Sequence, residues 1–133
     1  RDVERSRGLG DVYKRQLGSM EFACKVAGSK LVLVLGHTSC GAVKGACDHV
    51  ELGNLTGLLK KIAPAVESTP GDYEDKSSNN ATFVDAVAKR NVEMSIDNIR
   101  SKSPVLKEME DNGEIMLAGA MYDVSSGEVT FYN

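Results

Sequence analysis

The stretch Leu31–Gly45, LVLVLGHTSCGAVKG, decides how the chain is read. Its first part, bounded by Lys30 and Gly36, is a continuous apolar run of strand length. Such a run suits a strand buried on both faces, the habit of parallel sheets with helices on either side. A helix is predicted to start near Gly41 and to run through AVKGACDHV, which places His37 and Cys40 on the turn between strand and helix. The carboxyl edge of a parallel strand is where open α/β sheets hold their ligands. At a helix start, the dipole and the free N–H groups favour a thiolate over a thiol. Imidazole and thiolate form a borderline-soft pair suited to Zn2+. Small residues in GHTSCGAVKGA allow close approach of the backbone. Taken alone, H-x-x-C is equally compatible with a packed histidine and an inert cysteine, and two donors do not complete a metal site.

The other cysteines do not supply a third donor. Cys47 lies seven residues beyond Cys40, which on a continuous helix is ~10 Å of rise. Two sulfurs on one zinc stand only about 4 Å apart. His49 fails for the same reason. Cys24 belongs to the preceding helix and ends well below the far end of the strand, which climbs ~20 Å before His37. Cys24 and Cys47 are therefore expected in the core.

Outward from this stretch, helices and strands alternate. LGSMEFACKVAG reads as a helix with Ser19 as N-cap, an apolar face of Met20, Ala23, Cys24 and Ala27, and Gly28 as its stop. NLTGLLKKIAPAV sets Leu55, Leu58, Leu59, Ile62 and Val66 on one helical face, with Pro64 expected to bend or end it. STPGDYEDKSSNN is a polar loop. ATFVDAVAKRNVEMSIDNI carries Val84, Val87, Ala88, Val92, Ser95, Ile96 and Ile99 near helical period, and SPVLKEMEDNG is a short helix with Ser103 as cap, Pro104 at its first position and Gly113 as terminator. EIMLAGAMYDVSSGEVTFYN reads as two strands around SSG, a hairpin. The class is α/β, a mostly parallel sheet flanked by helices with a C-terminal β-hairpin. Only one strand precedes that hairpin, and its apolar sequence asks for neighbours on both sides, so further strands are expected to be missing.

At 133 residues, 41% hydrophobic and 26% charged, the composition is that of one globular domain with a sizeable core. Three cysteines, an odd set, read as reduced thiols of a cytoplasmic protein. No apolar run approaches the ~18 residues of a membrane span. A net charge of −3 leaves no basic footprint for nucleic acid or an anionic membrane. RDVERSRGLGDVYKRQ, residues 1–16, has neither helical nor strand period and lacks the apolar core of a secretory signal. Its ending resembles translated adaptor sequence. Residues 1–16 are therefore set aside as a disordered, foreign leader, and 17–133 as the C-terminal part of a single domain whose native N-terminal part is lost.

The segments LGSMEFACKVAGSKLVLVLGHTSCGAVKGA, NLTGLLKKIAPAV, NVEMSIDNIRSKSPVLKE and GAMYDVSSGEVTFYN together resemble the β-class carbonic anhydrases, over essentially all of residues 17–133. The resemblance implies a mostly parallel sheet flanked by helices and assembled as interlocking dimers, here incomplete. It implies one zinc held by a Cys, a His and a second Cys, the last two matching His37 and Cys40. The first Cys of the family lies in C-x-D-S-R, with an Asp–Arg dyad beside the metal. This sequence contains no C-x-D-S-R. The implied reaction is the reversible hydration of carbon dioxide to bicarbonate, by attack of a zinc-bound hydroxide. Gly41 could offer backbone contact to the bound oxygen. With two protein ligands, this chain is expected to bind zinc poorly and to hydrate CO2 little above background. A homodimer or higher even oligomer is the expected assembly, with no nucleic-acid or membrane partner.

Other polar residues allow a second reading each. His49 reads as a solvated surface group or a proton shuttle, Asp123 as a turn former or a metal ligand. Lys60 and Lys61 read as the solvated face of an amphipathic helix. The apolar faces at 55–66 and 84–99 read as core or as dimer contact. Two rival functions are a non-catalytic binding module, with phosphate at a helix N-terminus but without G-x-G-x-x-G or a P-loop ending, and an inactive family relative acting as a dimer partner.

Overall fold

The computed structural model describes residues 14–132. Helix α1 occupies residues 14–21 and continues as a wider π-turn over Phe22–Val26. Strand β1 (Leu31–His37) follows, then α2 (Gly41–Cys47), α3 (Gly53–Lys60), α4 (Ala63–Ser68), α5 (Ala81–Lys102), α6 (Pro104–Asp111), β2 (Met116–Tyr122) and β3 (Val129–Phe131). The class is α/β, and the described strands form one sheet in the order β1-β2-β3. Met116 N–H donates to Lys30 O at the start of β1, and Thr38 N–H donates to Tyr122 O at its end. Starts lie beside starts, so β1 and β2 are parallel. β2 and β3 are antiparallel, with Ala120 opposite Phe131 and Tyr122 opposite Val129.

The chain divides into two compact units. Residues 14–33 and Asp97–Ala118 make the first, and Val34–Ile96 with residues 119–132 the second.

In the first unit Leu17, Cys24, Ile99, Leu106, Met109, Ile115 and Leu117 are buried. Gly28 takes a φ of +84° and Ser29 N–H donates back to Ala23 O at 2.8 Å, so α1 stops where the sequence places its end. Its start differs. Helix is already present at residues 14–16, and Ser19 sits inside it with Oγ donating to Arg15 O at 2.8 Å. A serine hydroxyl bonded to the carbonyl four residues back is a mid-helix arrangement, not an N-cap. The rest of the leader, residues 1–13, lies outside the described residues. Ser103 caps α6 as expected. Its Oγ accepts from Leu106 N–H at 3.2 Å and donates to Glu21 Oε2 at 2.6 Å, so a fully buried hydroxyl is satisfied as donor and acceptor. Arg100 grips Glu110 with two bonds of 2.8 Å, which holds α6 to the end of α5.

The second unit centres on a cluster of Val43, Ala46 and Cys47 from α2, Leu59 from α3, Ala65 from α4, and Phe83, Val84, Val87 and Ala88 from α5, joined by Ile62. Tyr73 meets Phe83 edge-on at 5.0 Å, which ties the polar loop to this core. Pro64 neither bends nor ends a helix. It stands in the first turn of α4, where its missing N–H costs nothing, and α3 has already closed at Lys60. Asn80 introduces α5, its Oδ1 accepting from Phe83 N–H at 3.3 Å. Asp123 builds the hairpin turn. Its Oδ1 accepts from Ser125 N–H and Oγ at 2.9 and 2.7 Å, and its N–H donates to Glu128 O at 2.8 Å.

No residue of β1 is buried, and Leu31, Leu33 and Leu35 are 50%, 40% and 50% exposed. The apolar run forms the strand its sequence predicts but not one covered on both faces. Among the described residues β2 is its sole strand neighbour.

Candidate metal centre at the end of strand β1

β1 ends in His37, and Thr38 and Ser39 form a turn before Cys40, the residue that precedes α2. Gly36 makes room for this end of the strand. A Cβ there would lie 2.8 Å from Val92 Cγ2 and 3.2 Å from Met121 Cε. The turn is short because Ser39 takes a left-handed φ of 54°, a conformation uncommon outside glycine. Cys40 is extended, with φ −69° and ψ 120°, and its carbonyl accepts the first helical bond, from Lys44 N–H at 2.9 Å.

His37 is exposed and Cys40 half-buried, and both line one cleft of about 160 Å3. Val43 and Val92 give the cleft apolar walls, and Asn91 and Ser95 of α5 add polar ones. His37 Nδ1 lies 2.9 Å from Thr38 O. A carbonyl only accepts, so Nδ1 carries the proton and donates, and in the neutral ring Nε2 keeps its lone pair. Metal-binding histidines are commonly oriented by such a bond from the other ring nitrogen. Cys40 makes no side-chain capping bond to α2. Gly41, the first residue of α2, is exposed with no atom within 4 Å of a built Cβ, and it stands outside the cleft lining.

His37 and Cys40 thus line one cleft, and Cys24, Cys47 and His49 are not among its lining residues. Cys24 and Cys47 are buried, as their spacing predicts, and all three cysteines are free. Burial pushes the Cys47 thiol up, with the Asp48 carboxylate adding to the effect, so it holds its proton where a ligand must lose one. His49 has a φ of +56° just beyond α2 and lines a different groove, with Glu51 and Thr56. The bonds from Ser78 hold the Asp48 carboxyl below its ordinary range and those from Ser125 do the same for Asp123, an effect of loop structure. Sequence reasoning missed Asn91 as a cleft residue. Ser95 gave the signal: it is a polar residue within the apolar stripe of α5, and Asn91 stands one turn earlier on the same face, its carbonyl accepting from Ser95 Oγ at 2.8 Å.

The donor chemistry of the pair fits zinc, but among the described residues no three His, Cys, Asp or Glu side chains are grouped to hold a metal ion. Two donors alone do not complete a coordination shell.

Residues 4–129 match the family described as carbonic anhydrase. Carbonic anhydrase 2 of Mycobacterium tuberculosis is 28% identical over 136 residues, covering 91% of this chain and 62% of that protein. A carbonic anhydrase of Pseudomonas aeruginosa is 27% identical over 111 residues, covering 84% of this chain and 50% of that protein. The crystal structure of the β-carbonic anhydrase CafA of Aspergillus fumigatus superposes with a TM-score of 0.71 at 31% identity, over 85% of this chain and 53% of that one. A tetrameric β-carbonic anhydrase of Sordaria macrospora shares the fold, with a TM-score of 0.72 at 19% identity, over 90% of this chain and 60% of that one. The chain spans less than two thirds of the length of these relatives.

Proposed function

Because the chain belongs to the β-class carbonic anhydrase family, we propose that it carries the histidine and one cysteine of a zinc centre for the reversible hydration of carbon dioxide to bicarbonate. The observation that carries this reading is the shared cleft of His37 and Cys40, with His37 Nδ1–H donating to the Thr38 carbonyl. His37 Nε2 and the Cys40 thiolate would hold the metal. Zinc, when bound, supplies a Lewis acid that lets water ionise near neutral pH. The chain's own residues do the rest on this face. Val43 and Val92 present an apolar wall suited to an uncharged, apolar gas, and Asn91 and Ser95 offer polar groups to a product that is an anion. Gly41, whose backbone was expected to contact the bound oxygen, stands outside this cleft and is given no part in the reading.

Further donors would come from outside the described residues or from a second chain, since the sequence holds no C-x-D-S-R and the described residues group no third ligand. The tetrameric assembly of the Sordaria relative supports an even-numbered oligomer for the whole protein. Free thiols suit a cytoplasmic setting. No helix among the described residues is long and apolar enough to cross a membrane.

Cobalt tests the ligand assignment, because a thiolate bound to Co2+ gives a charge-transfer absorption. Titration of this chain with Co2+ is expected to give a weak band that Cys40→Ser abolishes, His37→Ala reduces, and Cys47→Ser leaves intact. A band that survives Cys40→Ser overturns the assignment. Stopped-flow CO2 hydration by this chain alone is expected to stay near background. Zinc-dependent turnover that His37→Ala abolishes would show that no outside donor is needed.

A further inference from the structure

The turn that carries the two donors is not held in shape by its own sequence. Ser39 is one of two non-glycine residues with positive φ among those described, and its side chain is exposed, so packing does not fix it. Three bonds from outside the turn do. Thr38 N–H donates to Tyr122 O, the last residue of β2, at 3.0 Å. Thr38 Oγ1 accepts from Val124 N–H in the hairpin turn at 3.0 Å. Ser39 N–H donates to Asp85 Oδ1 of α5 over a longer 3.4 Å. The Thr38 carbonyl, in turn, accepts a hydrogen bond from His37 Nδ1–H. Amide, hydroxyl and carbonyl of Thr38 are thus all engaged, two with the β2–β3 hairpin and one with the ligand imidazole.

The hairpin side is built for this contact. Val124 leaves its side chain half in solvent, at 51% exposure, while its amide reaches Thr38. Asp123 beside it fixes the turn through Ser125 and Gly127, whose N–H donates to the Asp123 carbonyl at 2.8 Å. The YDVSSG segment therefore reaches the site through Thr38.

The geometry points to Thr38 as the positioning residue of the His37–Cys40 turn, with the Asp123 hairpin as its anchor and Asp85 as a weaker second tie. The claim rests on the reading of His37 and Cys40 as ligands, but its test does not need a metal. Iodoacetamide alkylation of each cysteine in the 133-residue chain, followed by peptide mass spectrometry, reads the turn at Cys40 and the fold at Cys24 and Cys47. Thr38→Val keeps the shape and removes the acceptor. It is expected to speed alkylation of Cys40 about five- to tenfold, the order expected from one lost hydrogen bond, with Cys24 and Cys47 still protected. Thr38→Ser restores the hydroxyl and the slow rate. Equal Cys40 rates in Thr38→Val and the parent chain overturn the proposal, as does parallel acceleration of all three thiols, which marks general loosening. Should Thr38→Val fail to fold, hydrogen exchange in the parent chain decides. A protected Val124 amide supports the tie, and one exchanging as fast as an open turn amide sinks it. The cobalt titration separates the two claims: a Cys40-dependent band with unchanged alkylation defeats only the positioning role, and the reverse result defeats only the metal.

Discussion

β1 and β2 are parallel neighbours of equal length, seven residues each, and they are treated differently by the fold. β1 is rich in leucine and valine, yet none of its residues is buried. β2 carries Ala118, Gly119 and Ala120 at its centre, and these are buried. Hydropathy alone would rank them the other way. Position in the sheet decides the matter: β2 has a strand on each side, whereas β1 has one among the described residues. The small residues of β2 also permit closer cover. A Cβ at Gly119 would stand 2.8 Å from Ile96 Cδ1 and 2.9 Å from Val92 Cγ1, so α5 lies almost on the strand backbone. A sequence run records how much burial a strand would tolerate, and its neighbours determine how much it receives.

A charge placed on each strand should show the contrast at its largest. Ala120→Asp puts a carboxylate where the side chain is 0% exposed, and is expected to cost about 4 kcal/mol or more, enough to unfold the chain or nearly so. Leu35→Asp, on a residue 50% exposed, is expected to cost about 1 kcal/mol or less. Urea midpoints measure both, and similar losses would break the contrast. A methyl group gives a smaller version. Gly119→Ala presses on two branched side chains and should cost about 2 kcal/mol. Gly36→Ala should cost about half of that, because one of its neighbours is the flexible end of Met121. Thermal unfolding ranks the pair, and the reverse order would mean that α5 is held more firmly against β1 than against β2.

The smallest effect concerns charge rather than packing. The side-chain bonds from Arg100 pull the Glu110 carboxyl below its ordinary value, with burial opposing them. A group with a lowered folded pKa stabilises the fold above its unfolded pKa of about 4.3, and that contribution is lost as pH falls through the lower folded value. Arg100 is 37% exposed, so solvent screening limits the pair to under ~1 kcal/mol. Glu110→Gln should remove that part of the acid-side slope in a pH series of urea midpoints and leave the slope above neutrality unchanged. An unchanged acid limb would assign the anchoring of α6 to Leu106 and Met109 alone.

The elements legible in the sequence were those fixed by local chemistry. Ser103, Pro104 and Gly113 bound α6 because a cap, a preset φ and a left-handed stop act within a few residues, and Asp123 closed the hairpin for the same reason. His37 and Cys40 were legible as a pair because strand, turn and helix start are contiguous. What failed was whatever depended on what lies nearby in space. Ser19 reads as a cap until helix is found on both sides of it. Pro64 reads as a breaker unless the preceding helix has already ended. The exposure of β1 and the polar wall of Asn91 and Ser95 belong to packing, which periodicity does not encode. The tie from Thr38 to Val124 spans 86 residues of sequence and leaves no local trace.

The left-handed bend at Ser39 has a consequence for how the chain accepts substitution. Exposure would ordinarily make a position permissive, and a glycine beside a helix would ordinarily be guarded. Here the rule inverts. Residue 39 tolerates glycine, asparagine or aspartate and should reject valine or isoleucine although nothing crowds it, whereas residue 41 has open space for a side chain. Saturation mutagenesis at residues 39 and 41 would therefore draw a map of backbone torsion, not of contact.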